Sequence, residues 1–431
     1  MSKKVLLVTV SSNEMQKIRS TRYINFQQCT MPYLAAYFPD DWQVTHIDEV
    51  CGTVDYNAQF DIVGLTFHTP SAPHAYEIAD RFRAANVTVI MGGPHVTLLP
   101  DEAMEHADVV FVGEAEITLP QFIKDWTEGC YKNRYDATHT PSLCGIPFSK
   151  KEHFHRNDHS GGILLASRGC PNGCEFCTLA VMYNKKFRSR PVDEVAAEFA
   201  SFRGKVIIFW DDNLSADMDY AKALCKAITP HKKWWSSQVS VLAGTDDEFL
   251  SLAARSGCKQ FFIGFESVSQ KSLDSAQKGF NRSDDYAEIV KRIHSHGIAV
   301  QAGFVFGFDD DEHDVFDKTI EFLENTGIQN ATFHILTPYP GTPLYKRLQS
   351  EGRIINHDWA NYNARSSVVF TPRHMSCEEL LQGFNRVNQR FYSLASIYRR
   401  LKNSPVGLYW TLPLNLIYHH LWMKKQRVLL D

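Results

Sequence analysis

The sequence lacks the features of several common protein classes. Its 431 residues carry 45 Lys and Arg against 49 Asp and Glu, so the basic excess of a general nucleic-acid binder is missing. Ten cysteines in this length are too sparse for a disulfide scaffold. The amino-terminal Met1-Ser-Lys-Lys leads directly into a strand pattern, without the apolar core of a signal peptide. These absences predict a cytoplasmic globular protein that binds no nucleic acid, with two or three domains.

Three of the cysteines lie close together in one segment. Cys170, Cys174 and Cys177 have the spacing C-x3-C-x2-C and follow a short apolar run that is typical of a strand. Zinc sites usually combine two Cys/His pairs, and no second pair lies nearby in the sequence. Three thiolates on one tight loop can instead hold three irons of a cubane cluster and leave the fourth iron open to a small molecule.

This loop resembles the cluster-binding motif of the radical S-adenosylmethionine (SAM) superfamily, which typically has an aromatic residue directly before the third cysteine. Phe176 occupies that position here. In the family, the open iron chelates the amino and carboxylate groups of SAM. The resemblance therefore implies a [4Fe–4S] cluster on the three cysteines, with SAM bound beside Phe176.

The first 128 residues alternate between strand and helix patterns. Apolar runs at 3–10, 61–67, 87–91 and 108–112 are typical of buried parallel strands, which predicts a doubly wound, Rossmann-like α/β sheet. Such sheets bind ligands at the carboxyl ends of their strands. Mostly small or hydroxylated residues follow these strands, and they would let a large ligand approach the backbone. The candidate ligand-binding residues are Thr66, Thr69, Ser71, Gly92, Gly93, Gly113 and Glu114.

This region resembles the cobalamin-binding domain in its Ser/Thr loop after the third strand and its Gly-Gly loop after the fourth. The first signature of that domain, Asp-x-His-x-x-Gly, is absent, and 11–19 (SSNEMQKIR) stands in its place. The resemblance implies that the seven residues named above bind cobalamin without a histidine from this position on the cobalt. A domain that has lost cobalamin, or a Rossmann-like module with another ligand, is the alternative.

Residues 129–160 are polar and irregular, which predicts an interdomain linker. The alternation of strands and helices resumes over 161–345 and resembles the partial (βα)6 barrel of the radical SAM family. The six candidate strands are 163–167, 206–210, 236–242, 260–265, 299–306 and 331–336. Barrel chemistry lies at the carboxyl ends of strands. Residues 346–431 are mostly helical in pattern.

The resemblance places SAM contacts at these strand ends. The second strand is followed by Asp211 and Asp212, and either carboxylate suits the SAM ammonium, with a helix N-cap as the alternative role. Gln238 and Glu266 are the candidates on the third and fourth strands, although Glu266 also fits an ion pair with an arginine. Leu336 marks the sixth strand end, where the backbone would face the adenine.

Two further segments have open roles. Arg188 and Arg190 suit the SAM carboxylate or the substrate, and a solvated basic loop is the alternative. The stretch 407–422 is apolar and aromatic, but Pro413 interrupts it and it is too short to span a bilayer. This stretch suits a peripheral contact with a membrane surface or packing against the protein itself.

Together the resemblances imply a cobalamin-dependent radical SAM enzyme. It would methylate an unactivated carbon of a small-molecule or lipid-like substrate through a 5′-deoxyadenosyl radical and methylcobalamin, with flavodoxin or ferredoxin as reductant. The alternatives are a non-methylating rearrangement, cyclisation or oxidation, and a non-catalytic cobalamin or iron–sulfur sensor. A methylthiotransferase is disfavoured, because the sequence shows neither the additional amino-terminal cysteine set nor the basic carboxyl-terminal domain of those enzymes.

Overall fold

The computed structural model describes residues 2–12, 28–137, 140–154 and 161–428, with side chains described up to residue 422. Two six-stranded sheets organise these residues, and every pairing within them is parallel. The first sheet has the order β2-β1-β3-β4-β5-β6. Its strands are β1 (Lys4–Thr9), β2 (Gln43–Asp48), β3 (Ile62–Thr66), β4 (Thr88–Gly92), β5 (Val109–Val112) and β6 (Arg134–Asp136).

The first sheet is doubly wound, as the sequence predicts. Apolar residues of β1 and β3 are buried on both faces, which explains their nearly continuous hydrophobic runs. One face packs against α1 (Thr30–Leu34) and α5 (Ala115–Glu128). The other face packs against α2 (Ala72–Ala84), with α3 (Pro94–Leu98) and α4 (Pro100–His106) on the same side. The strand order reverses between β1 and β3, where open α/β sheets bind their ligands.

Two strands of this sheet were not predicted. The edge strand β2 is only partly buried, so it lacks the apolar run that marks the central strands. Strand β6 lies within the predicted linker 129–160 and pairs with β5 through Val110, Phe111 and Val112. The linker prediction is therefore wrong for this part, because three residues suffice for an edge strand but leave no pattern in the sequence.

The second sheet follows the chain in the order β14-β13-β12-β11-β10-β7, an open half barrel. Its strands are β7 (Gly162–Leu164), β10 (Val206–Phe209), β11 (Trp234–Val239), β12 (Cys258–Glu266), β13 (Ala299–Phe306) and β14 (Asn330–Ile335). The six strands confirm the predicted (βα)6 pattern. A separate antiparallel pair, β8 (Ser167–Arg168) and β9 (Arg188–Ser189), brackets the cysteine loop, which contains the short helix α6 (Thr178–Met182).

Helices cover the outer face of the half barrel, where a single large apolar core forms. Alternate residues such as Phe261, Ile263 and Phe265 point into this core, so Phe262, Gly264 and Glu266 face the inside of the half barrel. The covering helices are α7 (Val192–Ser201), α8 (Met218–Ile228), α9 (Asp247–Arg255), α10 (Gln270–Ser275), α11 (Tyr286–Ser295) and α12 (Val315–Thr326).

The carboxyl-terminal region is helical, as predicted. It contains α13 (Pro343–Ser350), α14 (Cys377–Phe391), α15 (Leu394–Leu401) and α16 (Leu408–Val428). Helix α16 packs against the half barrel through buried Thr411 and Asn415, and Asn415 donates to the Asn330 side chain at 2.6 Å. Within the described part of the chain, no helix is long and apolar enough to cross a membrane.

Candidate active site between the two sheets

The cysteine loop leaves β8 and returns through β9. Gly169 begins it with φ +83°, and a Cβ atom here would lie 2.0 Å from the carbonyl oxygen of Lys186. Only glycine fits such a position without displacing the backbone. The loop therefore folds tightly, and Cys170, Cys174 and Cys177 are brought to the carboxyl ends of the half-barrel strands.

Hydrogen-bond donors and a cation surround the three thiols. The Asn213 side chain donates to the sulfur of Cys170 at 3.6 Å. Burial raises the pKa of Cys177, and hydrogen bonds from the backbone amides of Leu179 and Ala180 oppose that shift. Burial raises the pKa of Cys174 to about 12, and the charge of Lys278 opposes that shift. Donors and positive charge stabilise thiolates, so this environment fits a cluster held by three cysteine sulfurs.

The same loop offers no site for a single metal ion. Among the described residues, no group of three or more His, Cys, Asp or Glu side chains is arranged to hold one ion, and this includes the three cysteines. A cubane cluster places each thiolate on a different iron, so its ligands need not converge on one point.

Asp211 is buried and hydrogen-bonds the backbone that leads into the cysteine loop. Its carboxylate accepts a hydrogen bond from the Ala166 amide at 3.1 Å, and others from the Ser167 amide and hydroxyl. Burial raises the pKa of Asp211 to about 7, although these hydrogen bonds act in the opposite direction. The prediction that Asp211 is open to the SAM ammonium is therefore wrong. Neither it nor Asp212 is a helix N-cap, since Asp217 caps α8.

Asp212 has the geometry that Asp211 lacks. One of its oxygens accepts from the Gly169 amide at 2.7 Å, and its side chain lines a cavity between the two sheets. Burial raises its pKa, while the Gly169 hydrogen bond and the charge of Arg168 lower it. Asp212 thus lies at the base of the cysteine loop with a surface open to a ligand.

Glu266 and Lys278 form an ion pair at 2.5 Å inside the half barrel, with side chains only 13% and 12% exposed. Burial opposes the charge of Lys278, but Glu266 and Cys174 outweigh burial and raise the pKa of the ammonium. Glu266 lies at a β-bulge with φ +65°, a strained conformation for a residue other than glycine. Sequence reasoning proposed an arginine partner for Glu266 and missed Lys278, whose only signal was its position shortly after β12.

The remaining SAM candidates lie along the same rim. Gln238 is exposed at the end of β11, next to Phe262 in the register. Leu336 follows β14 and donates its backbone amide to Phe306. Phe176 packs against the core, and its ring centroid lies 5.8 Å from that of Phe308. The structure therefore brings all of these residues to one end of the half barrel.

The cavity is about 430 Å³ and lies between the carboxyl ends of the two sheets. Four of the seven predicted cobalamin residues line it through small side chains or backbone, namely Thr66, Gly92, Gly93 and Gly113. Gly93 has φ +101°, and a Cβ atom there would lie 2.5 Å from Thr66 Oγ1. This cradle, which a larger side chain would fill, fits a large group that approaches the backbone closely.

Glu114 also lines this cavity, but arginines already hold its carboxylate. It pairs with Arg168 at 2.8 Å and with Arg188 at 2.5 Å, and Arg168 also contacts Glu116. These ion pairs join the first sheet to the strands that bracket the cysteine loop. Glu114 is therefore a domain-joining residue, and the expectation of a free Arg188 is wrong.

Arg190 is also occupied. It is fully buried and pairs with Glu198 at 2.5 Å, while Glu198 in turn accepts from the Tyr33 hydroxyl of the first domain. Arg190 is therefore neither open to the SAM carboxylate nor part of a solvated loop. Sequence reasoning missed the role because the partner Glu198 lies on the buried face of a helix that reads as ordinary and amphipathic.

Thr69 and Ser71 are not among the cavity-lining residues. Both are buried: Thr69 contacts the ring of His95 at 3.2 Å, and Ser71 accepts from the Ser12 amide at 2.9 Å. Their side chains therefore stabilise the loop after β3 from the side that faces away from the cavity. The segment that replaces the missing histidine signature is 11–19, and its residues 13–19 lie outside the described residues.

Family models match three parts of the chain. The radical SAM superfamily model matches residues 164–323, and the B12 binding domain model matches residues 26–123. A domain of unknown function, DUF4070, matches residues 342–411. The first match covers the half barrel except β14 and the start of β7, and the second covers β2 to β5 of the first sheet.

Several known proteins are similar to this chain over most of its length. The chain is 33% identical over 386 residues to bacteriochlorophyllide d C-12(1)-methyltransferase of Chlorobaculum tepidum, covering 86% of this chain and 83% of that protein. It is 27% identical over 358 residues to hopanoid C-2 methylase of Rhodopseudomonas palustris, covering 79% and 67%. The fold matches the cobalamin-dependent SAM radical enzyme OxsB with TM-score 0.70 at 14% identity, covering 97% of this chain and 72% of that one. The chain belongs to the cobalamin-dependent radical SAM C-methyltransferases, enzymes that work with a [4Fe–4S] cluster, SAM and cobalamin.

Proposed function

We propose that this methyltransferase acts on a carbon of a hydrophobic ring compound of the bacteriochlorophyllide type. The observation that carries the active-site assignment is the meeting of the two strand ends at one cavity, with the glycine cradle on one side and the cysteine loop on the other. The substrate class rests on the relative with 33% identity, which is named for methylation of bacteriochlorophyllide d.

The proposed ligands of the cofactors follow from the geometry. Cys170, Cys174 and Cys177 would hold the cluster, and Asn213 would donate to one of its thiolates. Gly92, Gly93 and Gly113, together with Thr66, would admit cobalamin against the first sheet. When bound, the cluster and SAM supply a hydrogen-abstracting radical, and cobalamin supplies the methyl group.

The charged residues of the half barrel are matched to a zwitterionic ligand such as SAM. Asp212 is the proposed acceptor for its ammonium, because this carboxylate lines the cavity at the base of the cysteine loop. Lys278 is the proposed partner of its carboxylate, and Glu266 would then accept from the ribose hydroxyls. Gln238, Phe176 and the backbone at Leu336 complete the proposed SAM site.

The half barrel also controls access of water. Apolar residues such as Leu165, Leu179 and Trp210 line the cavity beside the cysteine loop. Exclusion of water strengthens the electrostatic interactions within the site and protects a reactive carbon centre from side reactions. This chain therefore contributes binding, orientation and shielding, and the cofactors supply the bond-breaking steps.

The test is a substrate panel with the reconstituted protein under anaerobic conditions. Bacteriochlorophyllide d and a hopanoid are each supplied with SAM, cobalamin and dithionite, and the formation of 5′-deoxyadenosine is measured. We expect bacteriochlorophyllide d to stimulate SAM cleavage and the hopanoid not to do so. Stimulation by the hopanoid alone would overturn the proposed substrate class, and no cleavage with either would argue against the active-site assignment.

The expected reductant is flavodoxin or ferredoxin, supplied in a reducing compartment such as the cytoplasm. All ten cysteines are free in the structure, which supports such a compartment. Replacement of dithionite by reduced flavodoxin or reduced ferredoxin tests this proposal. SAM cleavage with either protein would support it, and cleavage with dithionite alone would contradict it.

We also propose that the last two helices contact a membrane surface peripherally. Although α16 packs inward through Thr411 and Asn415, several large apolar side chains on its other side and on α15 remain exposed. These are Leu394, Tyr398, Leu408, Tyr409 and Leu416. Flotation with anionic vesicles tests the contact: Tyr398→Ser combined with Tyr409→Ser should reduce the bound fraction, and the absence of wild-type binding would contradict it.

A further inference from the structure

Three polar side chains that have no partner among the described residues lie at the β14 edge of the half barrel. His334 lies on the inner face of β14, because its neighbours Phe333 and Ile335 point into the core. Tyr339 lies in the loop after β14. Arg365 follows Ala364, whose carbonyl accepts from the Ile335 amide at 2.8 Å and so holds this segment against the strand edge.

The charge of Arg365 acts on both of the other side chains. The charge of Arg365 lowers the pKa of both His334 and Tyr339, although burial is the larger influence on each group. All three keep part of their surface accessible.

Arg365 differs from the other arginines of its segment. Arg347 pairs with Glu175 and Asp309, and Arg353 pairs with Asp309 and Glu351. Within the described residues, by contrast, no carboxylate pairs with the guanidinium of Arg365. A half-buried guanidinium without a counter-ion is costly unless a ligand supplies the charge.

A fourth group on the same face also lacks a partner. Thr332 is 9% exposed, and its hydroxyl has no hydrogen-bond partner within the described chain. It lies two residues before His334 on β14, and its register neighbours Gly303 and Gly264 carry no side chains. The ring of Phe262 lies over Gly303, 3.1 Å from a Cβ atom built there, so Thr332 presents an unsatisfied hydroxyl on the inner face beside this ring.

We infer that Arg365, His334, Tyr339 and Thr332 form a subsite for a carboxylate group of the substrate. The guanidinium would pair with the carboxylate, and the imidazole N–H and the two hydroxyls would donate to its oxygens. This assignment deepens the proposed function and rests on it, because it names a chemical group that the substrate carries.

The charge of the subsite selects a carboxylate over a phosphate monoester. Burial together with the charge of Arg365 lowers the pKa of His334 to about 3, so its imidazole is neutral at neutral pH. Glu266 and Lys278 in the same half barrel neutralise each other. One positive charge with three neutral donors therefore balances a single negative charge.

The experiment compares an acid with its ester on the cluster-loaded full chain. Bacteriochlorophyllide d and its methyl ester are titrated into wild type, Arg365→Gln, Arg365→Lys and Arg386→Gln, and pigment binding is followed by tryptophan quenching. Arg386 is a matched control, since it forms an exposed ion pair with Asp317 on α12. Cleavage of SAM to 5′-deoxyadenosine is measured separately without pigment.

For wild type and Arg386→Gln, we expect the dissociation constant of the acid to be roughly 10-fold lower than that of the ester, as a charge-assisted pair would give. Arg365→Gln should lose this preference without weaker ester binding, and Arg365→Lys should keep part of it. Equal binding of acid and ester by wild type, an unchanged preference in Arg365→Gln, or no binding of either would overturn the subsite. With SAM cleavage intact, tight but equal binding of acid and ester would overturn the subsite and leave the proposed function standing, whereas no binding of either pigment would contradict the proposed substrate class as well.

Discussion

The carboxyl ends of the two sheets face one another but differ in chemistry. The first sheet presents glycines and backbone, and its charged residues Glu114 and Glu116 are already paired with arginines. The half barrel presents three thiols, Asp212 and the Glu266–Lys278 pair. A backbone cradle recognises a large group by its shape, whereas charged side chains and thiols recognise a charged group or a metal cluster. The two ends therefore suit two different cofactors.

The largest expected loss of activity comes from removing a thiol of the half barrel. Cys174→Ala should reduce iron content and bring the formation of 5′-deoxyadenosine to background, because three thiolates are the minimum that leaves one iron open. Cys130→Ala, at an exposed cysteine far along the chain, is the matched control. Persistent SAM cleavage in Cys174→Ala would show that the cluster lies elsewhere.

On the first sheet, Gly93→Ala should abolish retention of cobalamin through gel filtration. The new Cβ atom would meet Thr66 Oγ1 at 2.5 Å in a backbone conformation that disfavours any side chain. Gly129→Ala has similar backbone strain at φ +74° but open space around it. It should cost about 1 kcal/mol of stability and retain cobalamin. Equal retention by both variants would contradict the cradle.

Asp212→Asn tests the charge that the half barrel presents to SAM. Loss of the carboxylate should weaken SAM binding roughly 10-fold, since a charge-assisted hydrogen bond becomes a neutral one. Equilibrium dialysis with the cluster-loaded protein measures the dissociation constant. Cobalamin binding should not change, and unaltered SAM affinity would remove Asp212 from the site.

Glu114→Gln tests the ion pairs that join the first sheet to strands β8 and β9. It leaves Arg188 without its anion at a site where both side chains are at most 15% exposed. We expect faster hydrogen exchange over β8 and β9 and a loss of about 1–3 kcal/mol of stability. Arg386→Gln breaks an exposed pair and should cost less than about 1 kcal/mol. Equal exchange in the two variants would mean that the ion pairs do not hold the domains together.

Asp211→Asn should change the pH dependence of stability with little effect on affinity. The pKa of Asp211 in the folded protein is about 7, above its ordinary value of 3.8. The folded state therefore keeps a proton that the unfolded state loses between about pH 4 and 7, so this carboxyl makes stability fall as pH rises through that window. Urea unfolding at pH 5 and 7 should show a smaller fall in Asp211→Asn, and an unchanged slope would contradict the assignment.

Patterns with a clear period were predictable from the sequence. Continuous apolar runs marked the central strands, and strand β13 was predicted with its observed bounds of 299 and 306. The short edge strand β6 was not predictable, because three residues with a single buried side chain carry no period. The cysteine spacing indicated the cluster loop because the geometry of that site is entirely local.

Contacts between distant segments could not be read from the sequence. Asp211 and Asp212 are adjacent and chemically identical, and only the fold shows that the first faces the loop backbone and the second faces the cavity. The same holds for Arg190, whose partners Glu198 and Tyr33 come from two other elements. Arg365 shows the converse, since its proposed role follows from the lack of a carboxylate partner among the described residues.

The fate of the SAM methyl group tests the central claim most directly. The reconstituted protein is given SAM with a deuterated methyl group, cobalamin and bacteriochlorophyllide d, and the pigment is analysed by mass spectrometry. The account predicts a pigment that has gained a deuterated methyl group, formed together with 5′-deoxyadenosine and S-adenosylhomocysteine. A pigment that changes mass without gaining deuterium would contradict methyl transfer and support a rearrangement, cyclisation or oxidation instead.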